Sequence, residues 1–145
     1  MQSSIATLVT AFFLSSSLFA QAPSITLASP RGVLPGQNNT IKFTGANLAN
    51  TTRIWTSFPA QPTLTPNLPN NNTNAAEVSW DLNVPADAPV GLHGMRVASR
   101  LGVSGLYFFF VDDLKSVAQV KPNDKPETAQ VIPVPCAVDG QVDAL

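Results

Sequence analysis

The chain has one histidine, one cysteine and one tyrosine among its 145 residues. A zinc site or a Ser-His-Asp relay needs several groups to converge on one histidine, so a lone His93 argues against both. A lone Cys136 rules out an intramolecular disulfide framework, and stability must come from an apolar core. Charged residues make up 12% of the chain with a net charge of −1, against about 25% charged in an average domain. No basic stripe is available for nucleic acid, and no acidic or basic tail is present. No stretch repeats apolar residues at the helical period. These absences point away from enzymes and nucleic-acid binders, and toward an extracellular β-protein without cofactor or metal.

What the chain does have is proline, 13 residues, and short alternating apolar runs. The N-terminal run "IATLVTAFFLSSSLFA" ends at the small residues "AQA". That is the apolar core and exit of a secretory signal peptide, with cleavage expected after Ala20. No Lys or Arg precedes it, which is a departure from the usual pattern. A membrane anchor is the competing reading. It needs about 20 apolar residues, and this run is shorter and broken by three serines. The mature protein is therefore expected outside the cytoplasm, secreted or in the cell envelope, with no membrane span after cleavage.

From Pro23 on, the period is two. "SITLA" reads as a strand, and "SPRGVLPGQNN" as a turn-rich loop. In "TIKFTG", Ile41 and Phe43 fall on one face and Lys42 and Thr44 on the other. "TRIWTSF" reads as a strand, its buried side supplied by Ile54 with Phe58 or Trp55. Residues 59–74 carry four prolines and five asparagines. Proline lacks the amide donor that a central strand needs, so this is a loop with at most a short edge strand near Thr63 to Thr65. In "AEVSWDLNV", Val78, Trp80, Leu82 and Val84 point inward. "LHGMRVAS" and "SGLYFFFV" follow as two strands joined at "RLG". The last is apolar on both faces. Leu106, Phe108 and Phe110 can face the core, and Tyr107, Phe109 and Val111 would then face outward, as a contact row for the proline-rich loop or for a following domain, with self-association the less favoured use.

Six or seven short strands without a helix predict an all-β, immunoglobulin-like antiparallel sandwich over 23–113. Trp80 would replace the usual Cys–Trp–Cys centre. Residues 114–124 read as a linker, and 125–145 as the incomplete start of a second β domain. Cys136 is expected as a small buried residue of a strand there.

Chemistry-bearing residues are few. His93 in "GLHGM" reads as a surface or turn residue. Ser104 in "GVSGL" lacks the spacing of a nucleophile elbow and reads as a hairpin exit. Asp112, Asp113 and Asp124 lack the calcium-loop spacing, and the first two read as a strand-ending cap. No catalytic, cofactor or metal residue is assigned. Trp55 and Tyr107 are the expected exposed aromatic pair, with Phe109 as a third contact for a protein or polysaccharide ligand. Asn38, Asn50 and Asn71 each open a glycosylation sequon, meaningful only in a host that glycosylates.

Three stretches resemble known families. "SPRGVLPGQNNTIKFTGANLANTTRIW" resembles the opening of IPT/TIG-type immunoglobulin-like modules, with its glycine turn, strand and "G-x-N-L". "VPADAPVGLHGMRVASRLGVSGLYFFFVDDL" resembles their end. "VKPNDKPETAQVIPVPCAVDGQVD" resembles the start of bacterial pre-peptidase C-terminal domains through Pro122, Asn123, Asp124, Ala129, Gln130, Gly140 and Val142. Lys121 departs from that pattern, which usually has an acid. The resemblance implies a spacer, adhesion or targeting module of a large secreted bacterial protein, broken off within its second domain. Two functions follow as expectations. One is a non-catalytic interaction or spacer module. The other is a carbohydrate-binding module that directs a downstream enzyme to a polysaccharide.

Overall fold

The structure is a computed structural model that describes residues 21–141. The expected signal peptide and Val142 lie outside the described residues. In chain order the strands are β1 (Ser24–Ser29), β2 (Gly32–Val33), β3 (Gln37–Ala46), β4 (Thr51–Thr56), β5 (Gln61–Leu64), β6 (Glu77–Val84), β7 (Gly91–Ser99), β8 (Gly102–Val103), β9 (Tyr107–Val111), β10 (Ser116–Ala118) and β11 (Ala137–Asp139). One 3-10 turn spans Pro126–Thr128. No helix among the described residues is long and apolar enough to cross a membrane.

Two sheets pack face to face. One has the order β1-β3-β6-β5, the other β2-β9-β7-β4, with β8 also paired to β7. Taking β1 and β2 as one interrupted strand, and β8 and β9 as another, seven strands remain. Their arrangement is the ABED and GFC division of an immunoglobulin constant-type domain. The first strand begins on one sheet and crosses to the other, where β2 runs parallel to β9.

The core follows from the alternation. Ile41 and Phe43 of β3 and Val78, Trp80, Leu82 and Val84 of β6 are all buried, as expected. Ile54, Met95, Val97, Phe109 and Val111 face them from the second sheet. Each such side chain contributes about 1.5–3 kcal/mol of burial. Phe58 is buried beside Ile54, whereas Trp55 is exposed. Pro62 lies in β5, which is an edge strand, where a missing amide donor costs least.

The last strand has the opposite phase to the one expected. Phe109 and Val111 are buried, while Leu106, Phe108 and Phe110 are exposed. The reason is a bulge. Val103 pairs with Ala98, but Tyr107 pairs with Met95. Three steps along β7 thus match four along its partner. The extra residue reverses the side-chain phase of everything after it. Ser104 holds the bulge. Its amide donates to the Val97 carbonyl at 2.8 Å, and its hydroxyl accepts the Val97 amide at 3.0 Å and donates to the Gly105 carbonyl at 2.8 Å.

The asparagine-rich stretch is also structural. Asn71 donates to the carbonyls of Thr65 and Ser79 and accepts the Ser79 amide, tying β5 to β6 beyond their ladder. Asn72 accepts the amide and hydroxyl of Thr51, both at 2.7 Å, and donates to its carbonyl at 3.0 Å. The Trp80 indole donates to that same Thr51 hydroxyl at 3.3 Å. A loop amide thus stands in for a strand partner at the start of β4.

Beyond the sandwich, β10 and β11 form a parallel pair. The Asp139 carboxylate accepts the Arg31 amide at 3.0 Å and lies 3.4 Å from its Nε. Ser116–Ala118 falls within the stretch expected as a linker. Cys136 is half-buried and sits just before β11 rather than inside a strand.

Candidate interaction surface

The outer faces of the two sheets differ in character. On the β1-β3-β6-β5 sheet the outward side chains, Leu27 apart, are mostly polar, and those at its centre satisfy one another. Thr40 and Thr65 hydroxyls donate to Asp81 Oδ1 at 2.7 and 2.8 Å, and Lys42 pairs with Glu77 at 3.2 Å. That is an ordinary solvated face.

The β9-β7-β4 sheet presents the opposite. Phe108 is 64% exposed, Leu92 56%, Phe110 51% and Trp55 51%. Registration brings them together. Phe110 lies opposite Leu92, Phe108 opposite Gly94, and Trp55 opposite Arg96. Gly94 keeps this face level. A Cβ there would come within 2.6 Å of Leu106 Cδ1, so Leu106 lies across the glycine. Arg96 is held over the sheet by donating from its guanidinium to the Ser104 carbonyl at 3.0 Å. The bulge residue thereby sets both the phase of the phenylalanines and the pose of the arginine. An exposed apolar field of several hundred Å² is the upper end of what a lone soluble domain tolerates.

The three residues expected as contacts separate. Trp55 is on this face. Tyr107 points the other way, half-buried against the core, with its hydroxyl accepting the Ala28 amide at 3.0 Å. It ties the two sheets together and forms no platform with Trp55. Phe109 is fully buried and stacks on Phe58 with centroids 6.3 Å apart, so it can touch no ligand. The bulge explains both corrections. Phe108 and Phe110 were missed for the same reason, whereas Leu92 and Arg96 lie on β7 ahead of the bulge, in a strand to which the sequence reading assigned no outward face. Gly102 and Gly105 flanking Ser104 were the available signal, because glycine inside a strand marks bulges.

His93 is half-buried in β7. One ring nitrogen lies 2.8 Å from the Pro89 carbonyl, and the ring centroid is 5.1 Å from that of Phe58. Asp112 accepts the Leu114 amide at 3.1 Å, which closes the turn after β9. A groove of about 670 Å³ lies at one end of the sandwich between Asn50, Thr52, Ser99 and Arg100. Thr51 and Asn72 on its floor already satisfy each other, which leaves it few free polar groups.

The arrangement defines a class: an immunoglobulin-like β-sandwich with one polar and one aromatic outer face. No family model matches the chain, and no curated protein matches it. Among solved structures it is similar to SGBP-B of a Bacteroides ovatus mixed-linkage glucan utilization locus, solved in complex with a mixed-linkage heptasaccharide. Identity is 20% and the TM-score 0.44, over 67% of this chain and 24% of that one. It is also similar to the gamma-CGTase of alkalophilic Bacillus clarkii, with 15% identity and a TM-score of 0.43, over 70% of this chain and 14% of that one. Neither similarity decides what this chain binds.

Proposed function

We propose that this chain is a non-catalytic interaction module of an exported multidomain protein, and that the outer face of β9-β7-β4 is its contact surface. One observation carries the reading. Of two sheets built from one chain, one outer face is mostly polar and self-satisfied at its centre, while the other exposes Trp55, Leu92, Phe108 and Phe110 around Arg96. Aromatic residues and arginine, with lysine and acids depleted, form the composition of interface cores. Export rests on the N-terminal apolar run. An IPT/TIG-like assignment rests on the glycine and proline motifs quoted above.

A polysaccharide ligand is the second reading, favoured by Trp55 and Phe108 exposing rings on one sheet. The aliphatic Leu92 and Leu106 beside them weigh against it, because sugar platforms need polar groups around the rings. The test is photo-cross-linking of the full chain in its native host. A photoreactive phenylalanine replaces Phe108 or, as control, Lys42 on the polar face. Cross-links to protein from position 108 and none from position 42 are expected. Absence of protein cross-links, with retention on insoluble glucans or xylan that Trp55→Ala and Phe108→Ala abolish, would establish the carbohydrate module instead.

A further inference from the structure

The strands that carry the aromatic face hold positive charge and no negative charge, while at its β2 edge Asp112 and Asp139 line a groove with Phe110, Asp139 being paired to Arg31. Strands β4, β7, β8 and β9 contain no Asp or Glu at all. They do contain Arg53 and Arg96, and Arg100 follows in the turn after β7. Arg53 pairs with Ala98, and Trp55 with Arg96. Arg53 and Arg96 are therefore diagonal neighbours across two strands, with Cβ atoms roughly 7–8 Å apart. The salt bridges among the described residues are Arg31–Asp139 and Lys42–Glu77, so neither arginine has a carboxylate partner. Arg96 donates only to a backbone carbonyl. Of the acids that flank these strands in sequence, Asp87 is exposed in the loop before β7, and Asp112 lies past the end of β9 and closes its own turn.

Two cations side by side on an apolar sheet repel each other, and neither is neutralised within the fold. An apolar partner covering this face would bury them at a high desolvation cost unless it brought counter-charges. From this, resting on the function proposed above, we infer that the partner is a protein surface of apolar side chains carrying carboxylates, placed to meet Arg53 and Arg96 while its apolar groups cover Trp55, Leu92, Phe108 and Phe110. A second copy of this chain fits poorly. An isologous contact sets the same patch on both sides, and this patch would bring only arginines to arginines.

Two synthetic peptides probe this on the full chain by amide and indole NMR. Both alternate Phe and Val with a charged residue, Glu in one and Lys in the other. The Glu peptide is expected to shift the Trp55 indole and the Leu92, Arg96 and Phe108 amides, and to bind at least tenfold tighter than the Lys peptide. The preference should shrink as salt rises, and the double variant Arg53→Glu, Arg96→Glu should reverse it. Equal binding of the two peptides would overturn the carboxylate partner yet leave the face an interaction surface. Silence from both would overturn it too, and the cross-linking at position 108 then decides separately whether the interaction reading stands. Shifts at these residues from alginate but not from the Glu peptide would overturn a protein partner in favour of an anionic polysaccharide. A dimer in sedimentation that Phe108→Asp abolishes would overturn it in favour of self-association.

Discussion

Phe108 and Phe109 are adjacent, chemically identical, and placed on opposite sides of one sheet. Truncating each to alanine tests the bulge directly. Phe109 is fully buried and stacked on Phe58. Removing its ring deletes transfer energy and leaves a cavity, for about 3–5 kcal/mol. A domain of this size has about 5–15 kcal/mol in total. At about 4 °C per kcal/mol, Phe109→Ala should lower Tm by more than about 12 °C. Phe108 stands 64% exposed, so its truncation should change stability by no more than about 0.5 kcal/mol. Thermal and urea denaturation followed by circular dichroism on the full chain provide both numbers. Plain alternation from Val103 predicts the reverse order. If Phe108→Ala proves as costly as Phe109→Ala, the bulge at Ser104 is wrong, and the aromatic face with it.

Two further expectations concern the frame. Asn72→Ala removes the acceptor for the Thr51 amide and hydroxyl and the donor to its carbonyl. It leaves those groups unpaired and should cost about 2–3 kcal/mol in urea titrations. Because Thr51 also holds the Trp80 indole, the buried tryptophan emission should move to the red. A loss below about 0.5 kcal/mol would mean water replaces the amide. At Gly45, an added Cβ would collide with the Ser24 carbonyl, a backbone atom that cannot rotate aside. Gly45→Ala should therefore lift the start of β1 off β3. Hydrogen exchange should show lost protection in β1 with β3 and β6 still protected; unchanged β1 amides would contradict the contact.

Much of the fold was legible in the alternation. Ile41, Phe43, Val78, Trp80 and Leu82 have polar neighbours on both sides, and Val84 follows Asn83, so a period of two admits only one phase for a half-buried strand. Proline in 59–74 likewise confined β5 to an edge. The contact surface was legible only in outline. "LYFFFV" announced an apolar row, but a segment apolar on both faces carries no phase of its own. Its composition is equally compatible with either set of side chains outward.

The sequence alone therefore determined the class, an all-β sandwich whose polar positions say which side of most strands meets water. It also determined that catalytic groups are scarce, because composition is independent of folding. Tertiary structure decided which aromatics are offered to a partner. That choice depends on one extra residue opposite β7, held by hydrogen bonds between Ser104 and Val97. Such a pairing joins positions on neighbouring strands; Gly102 and Gly105 hint at a bulge, but no local pattern of residues fixes where the extra residue falls. The same pairing places Arg96 over the sheet beside Trp55, and so decides what charge the partner must bring.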